Sequence, residues 1–244
     1  MYNSLHILAN ECIVYIEFFQ LLISAEPKME RKAIFITFEG PEGAGKSTQL
    51  VLLKDYLEKQ GRPVIVTREP GGTPLAENFR GIVKHYQGEE PLYAETELLL
   101  FAAARAQHVR YVIAPALAAG TIVLCDRFAD STEAYQGAGR SQNADFLQRL
   151  NEFAMGACRP DLTLLFDLPP EVGLARAADR AKNIVNHNDR LEAEKIDFHQ
   201  RVRACYLNIA CREPARVKVL DATLSVEELF QKVKEQVDNA LSEI

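Results

Sequence analysis

From residue 33 onward, short runs of apolar, β-branched residues alternate with longer stretches in which apolar positions recur every three or four residues. The short runs are 33–39 (AIFITFE), 63–67 (PVIVT), 121–125 (TIVLC), 162–166 (LTLLF) and 216–220 (RVKVL). Near-continuous apolarity predicts strands buried on both faces, and strands that alternate with helices predict an α/β fold built on a parallel sheet. Between the first two strands a helix is expected over 47–60, with Leu50, Leu53 and Leu57 on one face and Gly61 as its stop. A longer helix is expected over 95–119, kinked or restarted by Pro115, and a last one from Val226 to about Leu241. Ser225 and Glu228 have capping-box spacing at the start of that last helix.

No repeat or low-complexity tract interrupts this alternation, so one domain is expected over 33–244, with a mobile stretch inside it. That stretch is 176–190, RAADRAKNIVNHNDR. It carries Arg176, Arg180, Lys182 and Arg190, while beyond Ala181 only Ile184 and Val185 are apolar, and alone it reads as a solvated basic loop. Residues 1–32 stand apart as an N-terminal extension. Within them 12–25, CIVYIEFFQLLISA, imitates a targeting signal, but Glu17 and Gln20 interrupt it and no Lys or Arg precedes it. An appended helix, or a start placed too early with Met29 as the functional beginning, is the expectation.

Composition narrows the chemistry. Of 244 residues, 48% are hydrophobic and 25% charged, the balance of an ordinary globular chain. With 28 Lys and Arg against 34 Asp and Glu, the net charge of −6 argues against a nucleic-acid coat, so any phosphate must be handled locally. Five cysteines, at 12, 125, 158, 205 and 211, form no CxxC pair and fit a reducing cytoplasm. No apolar run reaches the roughly 18 residues of a membrane helix, and no membrane partner is expected.

The strongest motif is Gly40-Pro41-Glu42-Gly43-Ala44-Gly45-Lys46-Ser47, which fits GxxxxGK[ST] between a predicted strand and a predicted helix. Its glycines let successive N–H groups turn inward as an anion nest, and the helix after it, through Ser47 and Thr48, adds its positive end. Lys46 supplies a point charge to the β- and γ-phosphates of a triphosphate, and the Ser47 hydroxyl can ligand Mg2+. A turn that only caps a helix requires neither residue.

Asp126 ends the third strand, where a carboxylate can hold the metal through water, and Arg127 beside it can clamp a second phosphate. A βα junction can equally end in Asp as a cap. Asp167 ends the fourth strand and reads as structural. Arg68 sits at the end of the second strand, in REPGGT, which alone is a turn. Phe101 and Arg105 lie four apart on one helix face, suited to a base and to its phosphate or carbonyl, although a core Phe and a surface Arg explain the pair as simply. There is no GxSxG or HExxH, and the five histidines are scattered, so covalent catalysis is not expected.

In order, EGPEGAGKST, TREPGGT, LFAAARAQH, CDRFADSTEAYQGAGR and RPDLTLLFDLPPEVGLAR closely resemble the bacterial thymidylate kinases, a branch of the P-loop nucleoside monophosphate kinases. The resemblance runs from about Ala33 to Leu241. It implies a P-loop NTPase-type three-layer fold with a five-stranded parallel sheet in the order 2-3-1-4-5, and transfer of phosphate from ATP to dTMP with Mg2+. It places Glu42 against the deoxyribose 3′-hydroxyl, Arg68, Arg105 and Arg127 on the dTMP phosphate or thymine, and Phe101 in a stack on thymine. Ser131, Thr132 and Tyr135 match the wall of the nucleoside pocket, with Tyr135 where a 2′-hydroxyl is crowded out. Family members pair as homodimers through helices flanking the sheet, for which the apolar faces of 95–119 and 143–155 are candidates.

One group in this family carries a catalytic arginine inside the P-loop, at the position of Gly43 here. The arginine-bearing stretch 176–190 resembles the lid of the other group, which implies Arg180 as the residue that reaches the transferred phosphoryl and Arg176 on the ATP side. This lid is a few residues longer than a common bacterial version, and Ala178 stands where another arginine often occurs, so Arg176, Arg180 and Arg190 all stay candidates for the role, with Arg180 the first. Asp189 and Glu192 are candidate partners of the metal or of an arginine. The competing readings are a kinase of another nucleotide or deoxynucleoside, a GTP-dependent switch and a non-catalytic nucleotide-binding scaffold. A switch calls for NKxD, which is missing, and a scaffold would leave the lid arginines idle.

Overall fold

Five strands form the centre of the molecule: β1 (Phe35–Glu39), β2 (Val64–Arg68), β3 (Ile122–Asp126), β4 (Leu162–Asp167) and β5 (Val217–Asp221). All pair in parallel, in the order β2-β3-β1-β4-β5 that the resemblance implies. The structure is a computed structural model and describes residues 33–182 and 190–243, without the side chains of residues 180 and 181. The N-terminal extension, and with it the signal-like 12–25 and Met29, lies outside the described residues, as do 183–189 of the expected lid. All the described residues belong to one compact unit.

The predicted strands are found within a residue or two of their expected limits, because β1, β3 and β4 are buried on both faces and had to read as unbroken apolar runs. Phe38 of β1 stacks on Phe166 of β4 with ring centroids 5.7 Å apart, and Phe35 meets Phe128 edge-on at 5.0 Å. Strand β2 is at the edge and only half covered. The register pairs Phe38 with Asp126 and Glu39 with Leu165, so the loops leaving β1, β3 and β4 emerge at one end of the sheet. That carboxyl edge is where open α/β sheets bind ligands.

Helix α1 (Lys46–Lys59) buries Leu50, Leu53 and Leu57 as its periodicity predicts, and ends before Gly61, whose φ is 76°. The expected long helix is divided differently. Helix α3 (Ala94–His108) passes into a wide π turn at Val109–Ile113 and then into the short α4 (Ala114–Ala118), with Pro115 in its first turn. Proline has no N–H and its ring crowds the carbonyl four residues back, and the wider turn takes up both. A second π turn, Glu133–Gly139, follows the short α5 (Ala129–Thr132) and leads to α6 (Ala144–Met155). Helices α2 (Pro74–His85), α7 (Pro170–Ala181) and α8 (Ile196–Arg212) were not anticipated as elements. Helix α7 occupies the first part of the stretch expected to be a mobile loop. Helix α9 (Val226–Ser242) begins with the predicted capping box: Glu228 N donates to Ser225 Oγ at 3.3 Å and Ser225 N to Glu228 Oε2 at 3.1 Å. Among the described residues no helix is long and apolar enough to cross a membrane.

Candidate active site

The loop after β1 turns on glycines with positive φ, 70° at Gly43 and 84° at Gly45. At Gly43 a Cβ would collide with the carbonyl oxygen of Gly173, so loop and helix α7 meet backbone to backbone. No side chain caps the start of α1, which leaves its first N–H groups for an anionic ligand. Lys46 is buried, and its Nζ donates to Gly40 O at 3.0 Å and Pro41 O at 2.7 Å. Burial and the nearby Arg127 lower its pKa to about 8, against the opposing pull of Glu42, Asp126 and Glu39.

Two residues beyond the loop fit a divalent cation. Ser47 Oγ donates to Asp126 Oδ2 at 3.1 Å, and Asp126 Oδ1 is buried without a hydrogen-bond partner. A hydroxyl beside a carboxylate oxygen with spare lone pairs is the hard oxygen set that Mg2+ takes. The buried Oδ1 keeps lone pairs available to a further ligand.

Arg127 is the hub of the site. It follows β3 with φ 68°, a left-handed conformation that is uncommon outside glycine and concentrates at functional positions. Its Nη2 donates to Glu42 Oε1 at 2.5 Å and Tyr135 OH at 3.1 Å, and its Nη1 to Gly40 O at 3.1 Å and, at 3.3 Å each, to Ser131 Oγ and Tyr206 OH. Burial pushes the Glu42 pKa up, but Arg127 and Lys46 outweigh it and hold the carboxyl down at about 2.

Beneath Arg127 lies Glu39, fully buried at the end of β1. It accepts from Phe128 N at 2.7 Å, Ser131 Oγ at 2.5 Å and Tyr206 OH at 2.9 Å. Burial and the charge of Asp130 raise its pKa to about 7, despite the hydrogen bond from Ser131 and the charge of Arg127. Tyr206, from α8, thus joins Glu39, Ser131 and Arg127 in one network.

A cavity of about 340 Å³ opens over these groups, a volume suited to small-molecule ligands. Its wall includes the loop from Glu42 to Thr48, Arg68, Asp126 and Arg127 from the sheet edge, and Phe101, Ser131 and Tyr135 from the helices. Arg68 is half-exposed and pairs with Glu77 at 3.0 Å. Arg105 and Thr132, expected on the substrate, do not line this cavity. Arg105 is buried and donates to Glu69 Oε2 at 2.8 Å, Asn151 Oδ1 at 2.7 Å and Thr132 Oγ1 at 2.9 Å. Glu69, itself on the cavity wall, also meets His108 Nδ1 at 3.0 Å, and the peptide that follows it, Glu69–Pro70, is cis.

Arg176 lies against the P-loop, with Nη1 donating to Ala222 O at 3.1 Å and Gly43 O at 3.5 Å. Arg180 follows one turn later on α7, and its side chain is outside the description. Asp167 is held by Arg203 through bonds of 2.7 and 2.8 Å, in keeping with its structural reading. Several lining residues had no signal in the sequence. Arg80 and Lys84 come from α2, Gln136 from the second π turn, and Leu191 from the segment before α8. Only the apolar face of α2 was available as a clue, and it does not say which cation reaches a cavity.

A family model described as thymidylate kinase matches residues 38–233. The chain belongs to the thymidylate kinase family. The thymidylate kinase of Ectopseudomonas mendocina (strain ymp) is 54% identical over 189 residues, spanning 78% of this chain and 87% of that protein. The thymidylate kinase of Geobacter sulfurreducens is 53% identical over 194 residues, spanning 79% and 91%. Among solved structures, the thymidylate kinase of Ehrlichia chaffeensis is similar with a TM-score of 0.65 and 33% identity, over 84% of this chain and 98% of that one. Four of the five motifs, far apart in sequence, contribute residues to one cavity at the carboxyl edge of the sheet, and the fifth, at 159–176, does not line it.

Proposed function

We propose that the cavity seats ATP at its P-loop end and dTMP at its Phe101–Tyr135 end, with Arg127 between them. The reaction is that of the family: ATP and dTMP give ADP and dTDP, a step in making deoxythymidine triphosphate. The bond from the γ-phosphorus to the β–γ bridging oxygen breaks as an oxygen of the dTMP phosphate forms a new one to the same phosphorus. The acceptor oxygen is already charged, so the protein need only position and neutralise. The observation that carries the assignment is the contact of Arg127 with both the P-loop carboxylate of Glu42 and the pocket hydroxyls of Ser131 and Tyr135.

In this reading the amides of 43–48 and Lys46 grip the β- and γ-phosphates, and Arg127 and Arg68 hold the dTMP phosphate. Glu42 takes the 3′-hydroxyl, Phe101 stacks on thymine, and Ser131 and Tyr135 form the wall against the sugar. Arg105 and Thr132 act from behind the wall through Glu69. Ser47 and Asp126 would hold Mg2+, which when bound neutralises phosphate charge. Arg176 steadies the ATP side and Arg180, one turn further along α7, delivers the cation that Gly43 cannot. The segment 176–190 closes as a lid to exclude water, without which ATP would be hydrolysed.

A homodimer belongs to the same proposal. Helices α3 and α6 pack together, and each exposes large apolar side chains, Leu99 at 53%, Phe146 at 50% and Phe153 at 74%. A cytoplasmic location rests on the cysteine pattern, and the four described cysteines are free thiols. The direct test is an ADP-release assay across a panel of nucleoside and deoxynucleoside monophosphates. Preference for dTMP is the expected result, and equal or better turnover of another acceptor would overturn the assignment.

A further inference from the structure

Helix α3 carries a carboxylate that this reaction does not use. Glu97 sits one turn before Phe101 on the same helical face, and its side chain is 1% exposed. A carboxylate is kept that deep only with partners, since leaving water costs several kcal/mol per ion. Its partners come from two distant parts of the chain. Oε1 accepts from Gln136 Nε2 at 3.0 Å and Arg140 Nε at 3.4 Å, and Oε2 accepts from Arg190 Nη1 at 3.4 Å and Arg140 Nη2 at 3.5 Å.

Each partner is tied onward to a different element. Arg190 donates through Nη1 to Val83 O at 3.0 Å and through its main-chain N to Lys84 O at 3.4 Å, at the end of α2. Arg140 also pairs with Glu194 and lies over the Phe198 ring at 5.1 Å, at the start of α8. Lys84, Gln136, Leu191 and Glu192, the residues beside or within these ties, all line the cavity. Glu97 therefore joins α3 to the second π turn and the 190–194 segment, and through Arg190 to α2, around the acceptor end. The P-loop contributes none of these hydrogen bonds.

We propose that Glu97 is a positioning residue for the acceptor nucleotide. Its carboxylate fixes the 190–194 segment and Gln136 against α3, and so sets the width and shape of the wall that dTMP meets. The inference rests on the dTMP kinase reading above. It differs from a purely structural role in one measurable respect. A network that only stabilised the fold would leave the affinities unchanged or move both together, whereas a positioning network at one end moves dTMP alone.

The test is Glu97→Gln, which keeps the shape and removes the charge shared by two guanidinium groups. The KM for dTMP should rise by at least about tenfold, the loss expected for a charge-assisted hydrogen bond, while the Kd for ATP by calorimetry stays within about twofold. Arg190→Gln approaches the same network from its more exposed side, at 27%, and should show the same one-sided change even where Glu97→Gln fails to fold. A folded variant with an unaltered KM for dTMP, or with dTMP and ATP affinities falling in parallel, would overturn the proposal. Wild-type turnover of dTMP is measured alongside, and its failure would instead sink the underlying kinase reading.

Discussion

Arg127 and Glu42 meet across the floor of the site, guanidinium Nη2 to carboxylate Oε1 at 2.5 Å, the one anchored at the end of β3 and the other in the loop after β1. The register that aligns Phe38 with Asp126 is what brings them together. Arg127→Met should therefore strike acceptor and loop at once. The kcat/KM for dTMP should fall at least about 10²-fold, from loss of a bidentate phosphate partner. Acid stability should fall too. A carboxyl held at about 2 in the folded state stabilises above its unfolded value and loses that contribution as pH drops through about 2. Without Arg127 the loss should begin closer to the unfolded value, so acid unfolding followed by circular dichroism should show a higher midpoint pH.

Lys46 sets a second pH dependence, of opposite sense. In the nucleotide-free protein it loses its proton as pH rises through about 8, and a neutral amine cannot hold a γ-phosphate. The Kd for ATP should weaken above pH 8 by up to about tenfold per pH unit. Lys46→Met should bind more weakly at pH 7 and show a flat profile from pH 7 to 9.5 in the same titration.

Arg180→Ala should lower kcat by at least about 10²-fold while ATP binding persists, by analogy with arginines that reach a transferred phosphoryl. Single-turnover rates with saturating nucleotides make the comparison. An unchanged rate would move the role to Arg176, already in place against Gly43.

The Ser47–Asp126 pair predicts the metal dependence. Asp126→Asn should raise the Mg2+ concentration for half-maximal turnover by about tenfold or more, and chelation of the wild type should stop turnover while dTMP still binds in calorimetry. Retention of full activity in excess EDTA would remove the metal from the account.

The sheet was legible in the sequence because its central strands are buried on both faces, and their apolar runs admit few other readings. The P-loop was legible because its lysine, hydroxyl and glycines are neighbours in the chain. What escaped was anything that depends on distant partners. Arg105 reads locally as a helix-surface cation, yet its three acceptors are Glu69, Asn151 and Thr132, each more than twenty-five positions away. The two π turns carry no sequence rule beyond the proline near the first, and the second brings Gln136 to the wall. Tyr206 and Lys84 belong to helices whose patterning marks a buried face but not what lies beyond it.

Gly43→Ala should destabilise the fold by about 2 to 4 kcal/mol, combining a left-handed φ with a methyl group driven into the Gly173 carbonyl. Thermal melts of the two proteins would measure it.

That crossing is reciprocal, since a Cβ on Gly173 would strike the Glu42 carbonyl in turn. Two bare stretches of main chain thus occupy the only room either has, and neither can gain a side chain without the other withdrawing. An arginine could not simply be transplanted into position 43 to take over the role proposed for Arg180, because the first turns of α7 would have to be reseated with it. On the proposed function, a cation supplied from the loop and one supplied from α7 are thus alternatives for this chain rather than parts open to exchange.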